Sequence, residues 1–244
     1  MNYTRIFTRQ VFSFGNQLIL PDKISKHLRK VLRKKTGDII QLFDGKGSFC
    51  LAEISSQENK NLKVKVLDSP DFSLRKGINI HLGQSLVKPD PWRFSIQKAA
   101  ELGVVSISPL STERTVVKII NKSKVSRKSR WESIAIGACQ QCGENWLPEI
   151  NEIQKLESWC KLVEIKKVKR KIVLYPSALT KFTDLSFNDS VAIAVGPEGD
   201  FTQNEIGFLE RNGFISVSLG ERILRAETAV VASLSAIRTM CGEF

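Results

Sequence analysis

Hydrophobic and polar positions alternate in short runs along the first 72 residues, a pattern typical of strands with one buried face. Residues 38–43 and 49–54 flank Asp44-Gly45-Lys46-Gly47, whose Asp-Gly pair favours a β-hairpin. Residues 62–66 alternate apolar side chains with lysines, which predicts a strand with an apolar and a basic face. We therefore expect residues 1–72 to form a small β-barrel domain.

One helix interrupts this β pattern. The apolar positions of residues 21–35 have helical spacing, and the segment carries seven basic residues against one acid, Asp22. The pattern predicts a short, strongly basic helix on the first domain.

The pattern of apolar and polar residues changes after a linker at about residues 69–77, which contains Pro70 and Gly77. Short apolar runs then alternate with helical segments, and this rhythm predicts a parallel sheet within residues 73–244. Several runs are continuously apolar, as expected of strands covered on both faces. The predicted strands are 78–82, 104–108, 172–175, 191–195 and 214–219.

The helices between these strands have recognisable ends. Proline in the first turn and Gly103 at the end delimit a helix over residues 91–102. Thr202 and Glu205 form a capping box for a helix that ends at Gly213, and a last helix covers about 227–240. One further helix is predicted by an apolar stripe of Trp131, Ile134, Ala135, Ala138, Cys139 and Cys142.

The net charge of +12 is unevenly distributed. Residues 1–72 carry +6, residues 73–171 carry +10, and residues 172–244 carry −4. Lysine-rich stretches at 118–130 and 161–171 contribute most to the middle part, although each alone fits a solvated surface. Such a basic surface attracts phosphate backbones, and we favour RNA over an anionic membrane because no amphipathic anchor is evident.

Five cysteines are too few and too odd in number for a disulfide framework. Cys139 and Cys142 form a C-x-x-C pair, but no second pair completes a zinc site, so we expect no metal and a packed helix face instead. Without an apolar run of membrane-spanning length or a signal-peptide pattern, we expect a cytoplasmic protein.

Two segments that follow predicted strands are candidates for chemistry. The first, residues 196–202, reads Gly-Pro-Glu-Gly-Asp-Phe-Thr, and its glycines permit close approach of a ligand to the backbone. It lacks both the dinucleotide-binding and the phosphate-loop signatures. Its acid favours a neutral or cationic ligand, of which the sulfonium of S-adenosylmethionine is one. A tight connection without ligand is the alternative.

The second segment, residues 219–229, reads Leu-Gly-Glu-Arg-Ile-Leu-Arg-Ala-Glu-Thr-Ala. A strand again ends at glycine before a helix. Glu227 and Thr228 could simply cap that helix, with Arg225 paired to Glu227.

The two segments together strongly resemble the SPOUT methyltransferases, and specifically the RsmE family of 16S ribosomal RNA (uracil-N3)-methyltransferases. The resemblance extends over essentially the whole chain. Further matching blocks are residues 27–33, 41–45, 96–104, 111–114, 138–143 and 147–150.

The resemblance implies an α/β fold: a SPOUT-type knotted parallel sheet with helices on both faces, residues 73–244, preceded by a small PUA-like β-barrel, residues 1–72. It also implies a homodimer that binds S-adenosylmethionine in a C-terminal trefoil knot and releases S-adenosylhomocysteine. The substrate would be N3 of one uridine in 16S ribosomal RNA of the small subunit.

Site residues are carried over position by position. The cofactor-binding residues would be Leu174, Tyr175, Pro176, Gly196, Pro197, Glu198, Gly199, Leu219, Gly220, Arg222, Ile223, Leu224, Thr228 and Ala229. For catalysis we assign Arg225 an electrostatic role and Glu227 an orienting role, with Glu198 or Glu227 as the base. The candidate RNA contacts are Arg5, His27, Arg29, Arg33 and Arg114, each with a structural or solvated role as the alternative.

The chain departs from the family pattern at two places. Gln140-Gln141-Cys142-Gly143-Glu144 lacks the arginine that many relatives have at its end, and Lys88-Pro89-Asp90-Pro91-Trp92 replaces a glycine-containing loop. These departures concern RNA binding rather than the cofactor. A ribose 2′-O-methyltransferase of the same fold and a non-catalytic RNA-binding assembly protein are the rival interpretations.

Overall fold

The computed structural model describes residues 3–58, 60–117 and 124–244. Its backbone divides into two compact units. The first contains the residues up to Arg75 together with Cys139–Leu147, and the second contains Lys76–Ala138 and Pro148–Phe244. Residues 139–147, which the sequence analysis assigns to the second domain, thus pack with the first unit. The predicted boundary at residues 72 and 73 otherwise stays a prediction.

The first unit is a six-stranded sheet with the short basic helix α1. Its strand order is β1-β3-β4-β5-β2, with β6 paired to β4; β1 and β3 are parallel and the other pairs antiparallel. The elements are β1 (Thr4–Phe7), β2 (Gln17–Ile19), α1 (Asp22–Lys30), β3 (Ile39–Phe43), β4 (Ser48–Glu58), β5 (Asn61–Val66) and β6 (Asp71–Phe72).

The predicted hairpin and basic helix are both present in this unit. Asp44 Oδ1 accepts hydrogen bonds from the backbone N–H groups of Lys46 and Ser48, at 2.7 and 3.0 Å, and closes the β3–β4 turn. Leu28 of α1 is fully buried, whereas the three lysines of this helix are exposed. The apolar face of the sheet and Leu28 of α1 therefore form the core of this unit. The lysines of α1 lie on its surface.

The second unit has a parallel sheet in the order β10-β8-β7-β12-β11-β13, with β9 also paired to β8. Its strands are β7 (Asn79–Ser85), β8 (Ser106–Ser111), β9 (Glu149–Ile150), β10 (Gln154–Lys155), β11 (Arg170–Leu174), β12 (Ser190–Val195) and β13 (Ile215–Val217). Its helices are α2 (Pro89–Glu101), α3 (Lys124–Cys142), α4 (Leu156–Cys160), α5 (Val163–Lys167), α6 (Gln203–Arg211) and α7 (Ala226–Met240).

Helices cover both faces of this sheet. On one face Ala192 and Ala194 of β12 share a core with Trp159 of α4 and with α6. Gly83 of β7 lies on the same face, where a Cβ would come within 2.5 Å of the Trp159 ring, so only glycine fits. On the other face α2 packs on α7, and Gln84 of β7 donates to Ser95 Oγ of α2 at 3.1 Å. The predicted parallel sheet with two helical layers is confirmed, whereas the knotted chain path stays a prediction.

A buried arginine ties the two helices of the second layer together. Arg238 of α7 donates to the carbonyl oxygens of Leu102 and Gly103, at 3.0 and 2.8 Å, and pairs with Glu243. It thereby satisfies the free carbonyls at the end of α2, and Gly103, with φ +68°, ends that helix as predicted.

The predicted helix ends are confirmed with small shifts. Thr202 and Glu205 form the capping box of α6, and α6 ends shortly before Gly213. The stripe on α3 is buried between Trp131 and Cys139 except for the half-buried Ile134, and Cys142 is exposed at the end of the helix. The basic stretch 118–130 lies partly outside the described residues, which resume at Lys124 within α3. No helix of the described part combines the length and apolarity needed to cross a lipid bilayer.

Candidate active site

Three turns at one edge of the parallel sheet enclose a cavity of about 810 Å³. They follow β11, β12 and β13, which are adjacent in the sheet order β12-β11-β13. The carboxyl ends of neighbouring parallel strands lie at the same edge, where ligands bind in folds of this kind. The cavity volume is within the range typical of small-molecule sites.

Nearly all the predicted cofactor-binding residues line this cavity. The lining residues are Leu174, Tyr175, Pro176, Gly196, Pro197, Glu198, Gly199, Leu219, Gly220, Arg222, Ile223, Leu224 and Ala229, together with the predicted catalytic residues Arg225 and Glu227. Thr228 does not line the cavity and is exposed. The structure thus gathers three segments that are far apart in sequence, while the role of each side chain stays a prediction.

Lys88 and Pro91 also line the cavity and were not predicted. They follow the end of β7, which pairs with β12, and this pairing of strands distant in sequence brings them to the cavity. The lining side chains include three basic and three acidic ones: Lys88, Arg222, Arg225, Glu198, Asp200 and Glu227. Such balanced charge suits a ligand that carries charges of both signs.

The β12 turn is held in a tight conformation by its own backbone. Asp200, at φ +59°, donates its N–H to the Pro197 carbonyl at 2.9 Å, and its Oδ1 accepts the Phe201 N–H at 2.8 Å. A Cβ on Gly196 would lie 3.0 Å from Asp200 Oδ1 and 3.1 Å from the Phe201 nitrogen. A side chain at position 196 would therefore crowd the turn, and its neighbours would have to shift to admit it. Burial raises the pKa of Asp200, while the Phe201 N–H and Arg114 act in the opposite direction.

Two contacts from neighbouring segments fix the same turn. Glu198 Oε1 accepts the backbone N–H of Lys88 at 3.2 Å, and Arg114 Nη1 donates to the Gly199 carbonyl at 2.7 Å. Glu205, which is buried, accepts the N–H of Glu113 at 2.9 Å and so anchors the segment that carries Arg114. The cofactor turn and the predicted RNA contact Arg114 are therefore positioned by one hydrogen-bond network.

The turn after β13 is more open. Ser218 Oγ accepts the Gly220 N–H at 3.2 Å, and Gly220 has φ +116°. Arg225 occupies the cap position of α7 without a side-chain capping bond, and no ion pair joins it to Glu227 in the described part of the chain. The Arg225–Glu227 pair named in the alternative interpretation is therefore not formed, and the roles of these two residues stay predictions.

Arg5 of the first unit is bound within the protein. Its guanidinium donates to Gln41, to the Glu144 carbonyl at 3.0 Å and to Asn145 Oδ1 at 2.6 Å. It also lies over the Phe43 ring, 4.7 Å from the centroid, and burial lowers its pKa. This is the structural role named as the alternative for Arg5, so we do not retain it as an RNA contact.

The other predicted RNA contacts remain on the surface. His27, Arg33 and Arg114 are exposed, and Arg33 has φ +53° just beyond helix α1. Arg29 is half-buried and donates to the Lys60 carbonyl at 2.8 Å.

Cys139 lies beside residues 140–144, where the sequence departs from the family pattern. It is buried, which raises its pKa to about 12, so its thiol stays neutral at physiological pH.

Comparisons with known proteins agree with this geometry. A family model described as an RNA methyltransferase domain matches residues 75–238, and one described as an RNA methyltransferase PUA domain matches residues 20–67. Ribosomal RNA small subunit methyltransferase E of Buchnera aphidicola subsp. Schizaphis graminum is 34% identical over 98% of this chain and 97% of that protein. The protein of the same name in Bacillus subtilis is 28% identical over 86% and 85%.

Two solved structures extend the agreement to the cofactor. A Legionella pneumophila methyltransferase in complex with S-adenosylmethionine superposes with a TM-score of 0.90, at 33% identity and 98% coverage of both chains. Ribosomal RNA small subunit methyltransferase E of Neisseria gonorrhoeae, bound to S-adenosylmethionine, gives 0.87 at the same identity and coverage.

Fold, cavity and relatives together define an S-adenosylmethionine-dependent RNA methyltransferase. The chain belongs to the ribosomal RNA small subunit methyltransferase E family, as the resemblance predicted.

Proposed function

We propose that this protein transfers a methyl group from S-adenosylmethionine to N3 of a specific uridine in 16S ribosomal RNA of the small subunit. The observation that supports this most strongly is the cavity at the ends of β11, β12 and β13, lined by the predicted turns. The names of the relatives indicate that the substrate is ribosomal RNA of the small subunit. The family resemblance indicates that the methylated atom is N3 of uracil.

The residues present fit this cofactor. Glycine-bearing turns leave backbone groups free to bind the adenine, and the six charged lining side chains can accommodate the amino acid moiety and the sulfonium. When bound, S-adenosylmethionine supplies the methyl group and is released as S-adenosylhomocysteine. We assign the binding role to the residues predicted above, with Thr228 omitted because it does not line the cavity.

The protein's own task is to prepare the uracil. N3 must lose its proton as its lone pair forms the new bond to carbon, while the carbon–sulfur bond breaks and its electrons stay on sulfur. A cation near O2 or O4 stabilises the charge that develops on the ring. We assign this role to Arg225, which lines the cavity and carries no ion pair to the adjacent acid Glu227.

Two carboxylates in the cavity are candidates for accepting the N3 proton. Glu198 already accepts the Lys88 N–H at 3.2 Å, so this carboxylate is engaged in holding the segment at Lys88. Glu227 also lines the cavity and lies two residues from Arg225. We therefore assign the base role to Glu227 and an orienting role to Glu198, which holds the segment at Lys88 against the cofactor turn.

Recognition of the RNA follows from the chemistry of the target atom. N3 lies on the Watson–Crick edge, so the uridine must be unpaired or extruded from its stack. We propose that His27, Arg29, Arg33 and Arg114 contact the phosphate backbone, consistent with the basic surface of the first two thirds of the chain. We also propose a cytoplasmic location, which a ribosomal substrate supports.

We propose that the protein acts as a knotted homodimer, as the resemblance implies. Leu179 and Ile223, on the turns that follow β11 and β13, are 98% and 86% exposed. Large apolar side chains with this exposure support a second copy covering these turns. Sedimentation velocity should give the mass of two chains.

The function is tested by incubating the protein and S-adenosylmethionine with small subunits from a strain that lacks the family's enzyme. Mass spectrometry of the nucleosides should yield one N3-methyluridine per subunit. A 2′-O-methylated nucleoside would replace the proposal with the ribose-methylating alternative, and no methylated nucleoside would favour a non-catalytic RNA-binding protein.

A further inference from the structure

The second unit contains another cavity, of about 680 Å³, between the start of α2 and the middle of α3. Its lining residues are Leu86, Val87, Pro89, Asp90, Trp92, Arg93, Gln97, Val117, Arg127, Arg130, Trp131, Ser133, Ile134, Gly137 and Ala138. None of these residues is assigned to the cofactor or to the catalytic chemistry above.

Arginines dominate the charge of its walls. Among the described residues, Arg93, Arg127 and Arg130 line the cavity together with one acid, Asp90. Arg93 and Arg130 are exposed, and neither forms an ion pair with a described residue. A concave surface with such charge attracts anions, and arginine matches the geometry of phosphate oxygens in particular.

The deeper wall is apolar and aromatic. Trp92 and Trp131 pack edge to face, with centroids 5.4 Å apart, and both line the cavity. Ile134 and Ala138 continue the same stripe of α3. Because Trp92 and Trp131 are only 3% and 8% exposed, this wall offers a nucleobase an apolar floor with little open aromatic face. The cavity therefore offers an apolar partner for the base and cationic partners for the phosphate of a nucleotide.

The position of the cavity relates it to the methyl-transfer site. Lys88 and Pro91 line the cofactor cavity, whereas Pro89, Asp90 and Trp92 line the second one. The two cavities therefore share one short segment as a wall. This segment, residues 88–92, is one of the two places at which the sequence departs from the pattern of the family it resembles.

We propose that the second cavity binds a nucleotide of the substrate RNA close in sequence to the target uridine. Arg93 and Arg130 bind its phosphate, and the Trp92–Trp131 wall receives its base. This inference rests on the proposed function in that the ligand is the RNA substrate. Binding of such a nucleotide would explain why Arg127 and Arg130 of α3 lie beside residues 88–92, which also border the cofactor cavity.

Gly137 offers a direct test, because it lines the cavity and a Cβ built on it would meet no atom within 4 Å. Gly137→Glu adds a negative charge without a collision, and Arg93→Gln and Arg130→Gln each remove a positive one. The matched controls are Gly207→Glu, also at a helical glycine, and Arg211→Gln, at an exposed arginine of α6.

The probe is the small subunit described above, and its Kd is measured by filter binding at several salt concentrations. Each arginine variant should raise the Kd about 5- to 10-fold and reduce the slope of log K against log salt by about 1, because one phosphate contact is lost. Gly137→Glu should raise the Kd about 10-fold. The controls should change it less than about 2-fold, and S-adenosylmethionine binding should be unchanged throughout.

Affinities of the arginine and Gly137 variants equal to those of their controls would overturn the inference, as would a parallel loss of cofactor binding. Failure of the proposed function is distinguishable. If the wild type yields no N3-methyluridine while the variants still weaken binding to the subunit, the cavity is an RNA site and the proposed reaction is wrong.

Discussion

The two cavities of the second unit are lined by different parts of the chain. The cofactor cavity is made of turns at strand ends, with glycines at positions 196, 199 and 220 and hydrogen bonds such as Asp200 to Pro197 within the backbone. The second cavity is lined mainly by residues of α2 and α3, among them three arginines and two tryptophans. Backbone turns fixed by their neighbours suit one rigid small molecule, whereas flexible cationic side chains suit a polyanion.

This difference has a thermodynamic consequence. Binding held by backbone groups in a recessed cavity depends little on salt, because few counterions are released. Binding held by arginines on phosphates depends steeply on salt. The contrast between the cavities can therefore be measured without knowing the pose of either ligand.

The largest expected effect is on RNA affinity. Raising salt from 50 to 200 mM should increase the Kd for the small subunit about 10³-fold, as for a protein with roughly six phosphate contacts. The Kd for S-adenosylmethionine, from equilibrium dialysis under the same conditions, should change less than about 3-fold. Equal salt dependence of the two ligands would contradict the comparison.

Removing the proposed electrostatic group should have the next largest effect. Arg225→Ala should lower kcat about 10²-fold, the usual loss when one preorganised donor to a developing anion is removed. Cofactor affinity should be retained, since the cavity is formed mainly by backbone turns. Arg225→Lys should recover part of the rate, and full turnover by the alanine variant would refute the assignment.

A smaller effect is expected from crowding the cofactor turn. Gly196→Ala places a Cβ 3.0 Å from Asp200 Oδ1 and 3.1 Å from the Phe201 nitrogen, so the turn must shift. The Kd for S-adenosylmethionine should rise about 10-fold, which corresponds to roughly 1.4 kcal/mol. RNA affinity should not change. Gly207→Ala, in helix α6, is the control and should leave both affinities as they are; unaltered cofactor binding by Gly196→Ala would show that the turn is not the binding element.

The smallest effect concerns the single acid on the second cavity. Asp90→Asn should tighten RNA binding about 2- to 3-fold by removing repulsion of phosphate. It should also cost about 0.3–1 kcal/mol of stability, since Asp90 lies in the first turn of α2 and favours the helix dipole. Glu157→Gln, at an exposed acid of α4, is the control for net charge. An equal gain in RNA affinity for this variant would show that net charge, and not the second cavity, causes the effect.

Two of the three turns of the cofactor cavity could be located from local sequence patterns, whereas the turn after β11 and the identity of the ligand came from the family resemblance. Glycine, proline and a capping box mark the turn after β12, and a strand pattern ending in glycine marks the turn after β13. Their meeting follows from the parallel sheet. Lys88 escaped prediction because only the adjacency of β7 and β12, a long-range property, brings it there.

The second cavity and the role of Arg5 could not be predicted for a related reason. Arg93 and Arg130 are 37 positions apart on helices whose mutual packing no local pattern encodes. Arg5 looked like a surface cation, yet its partners Glu144 and Asn145 come from a segment that the sequence assigns to the other domain. Neighbouring residues in the sequence determine helix and strand patterns, whereas they do not reveal which side chains meet in the folded structure.

The measurement closest to the central claim is a calorimetric titration of the protein with S-adenosylmethionine. The account predicts saturable binding with one site per chain, weakened by Gly196→Ala and unaffected by Arg93→Gln. Absence of binding heat over a range of temperatures, or equal weakening by both substitutions, would contradict the assignment of the strand-end turns to the methyl donor.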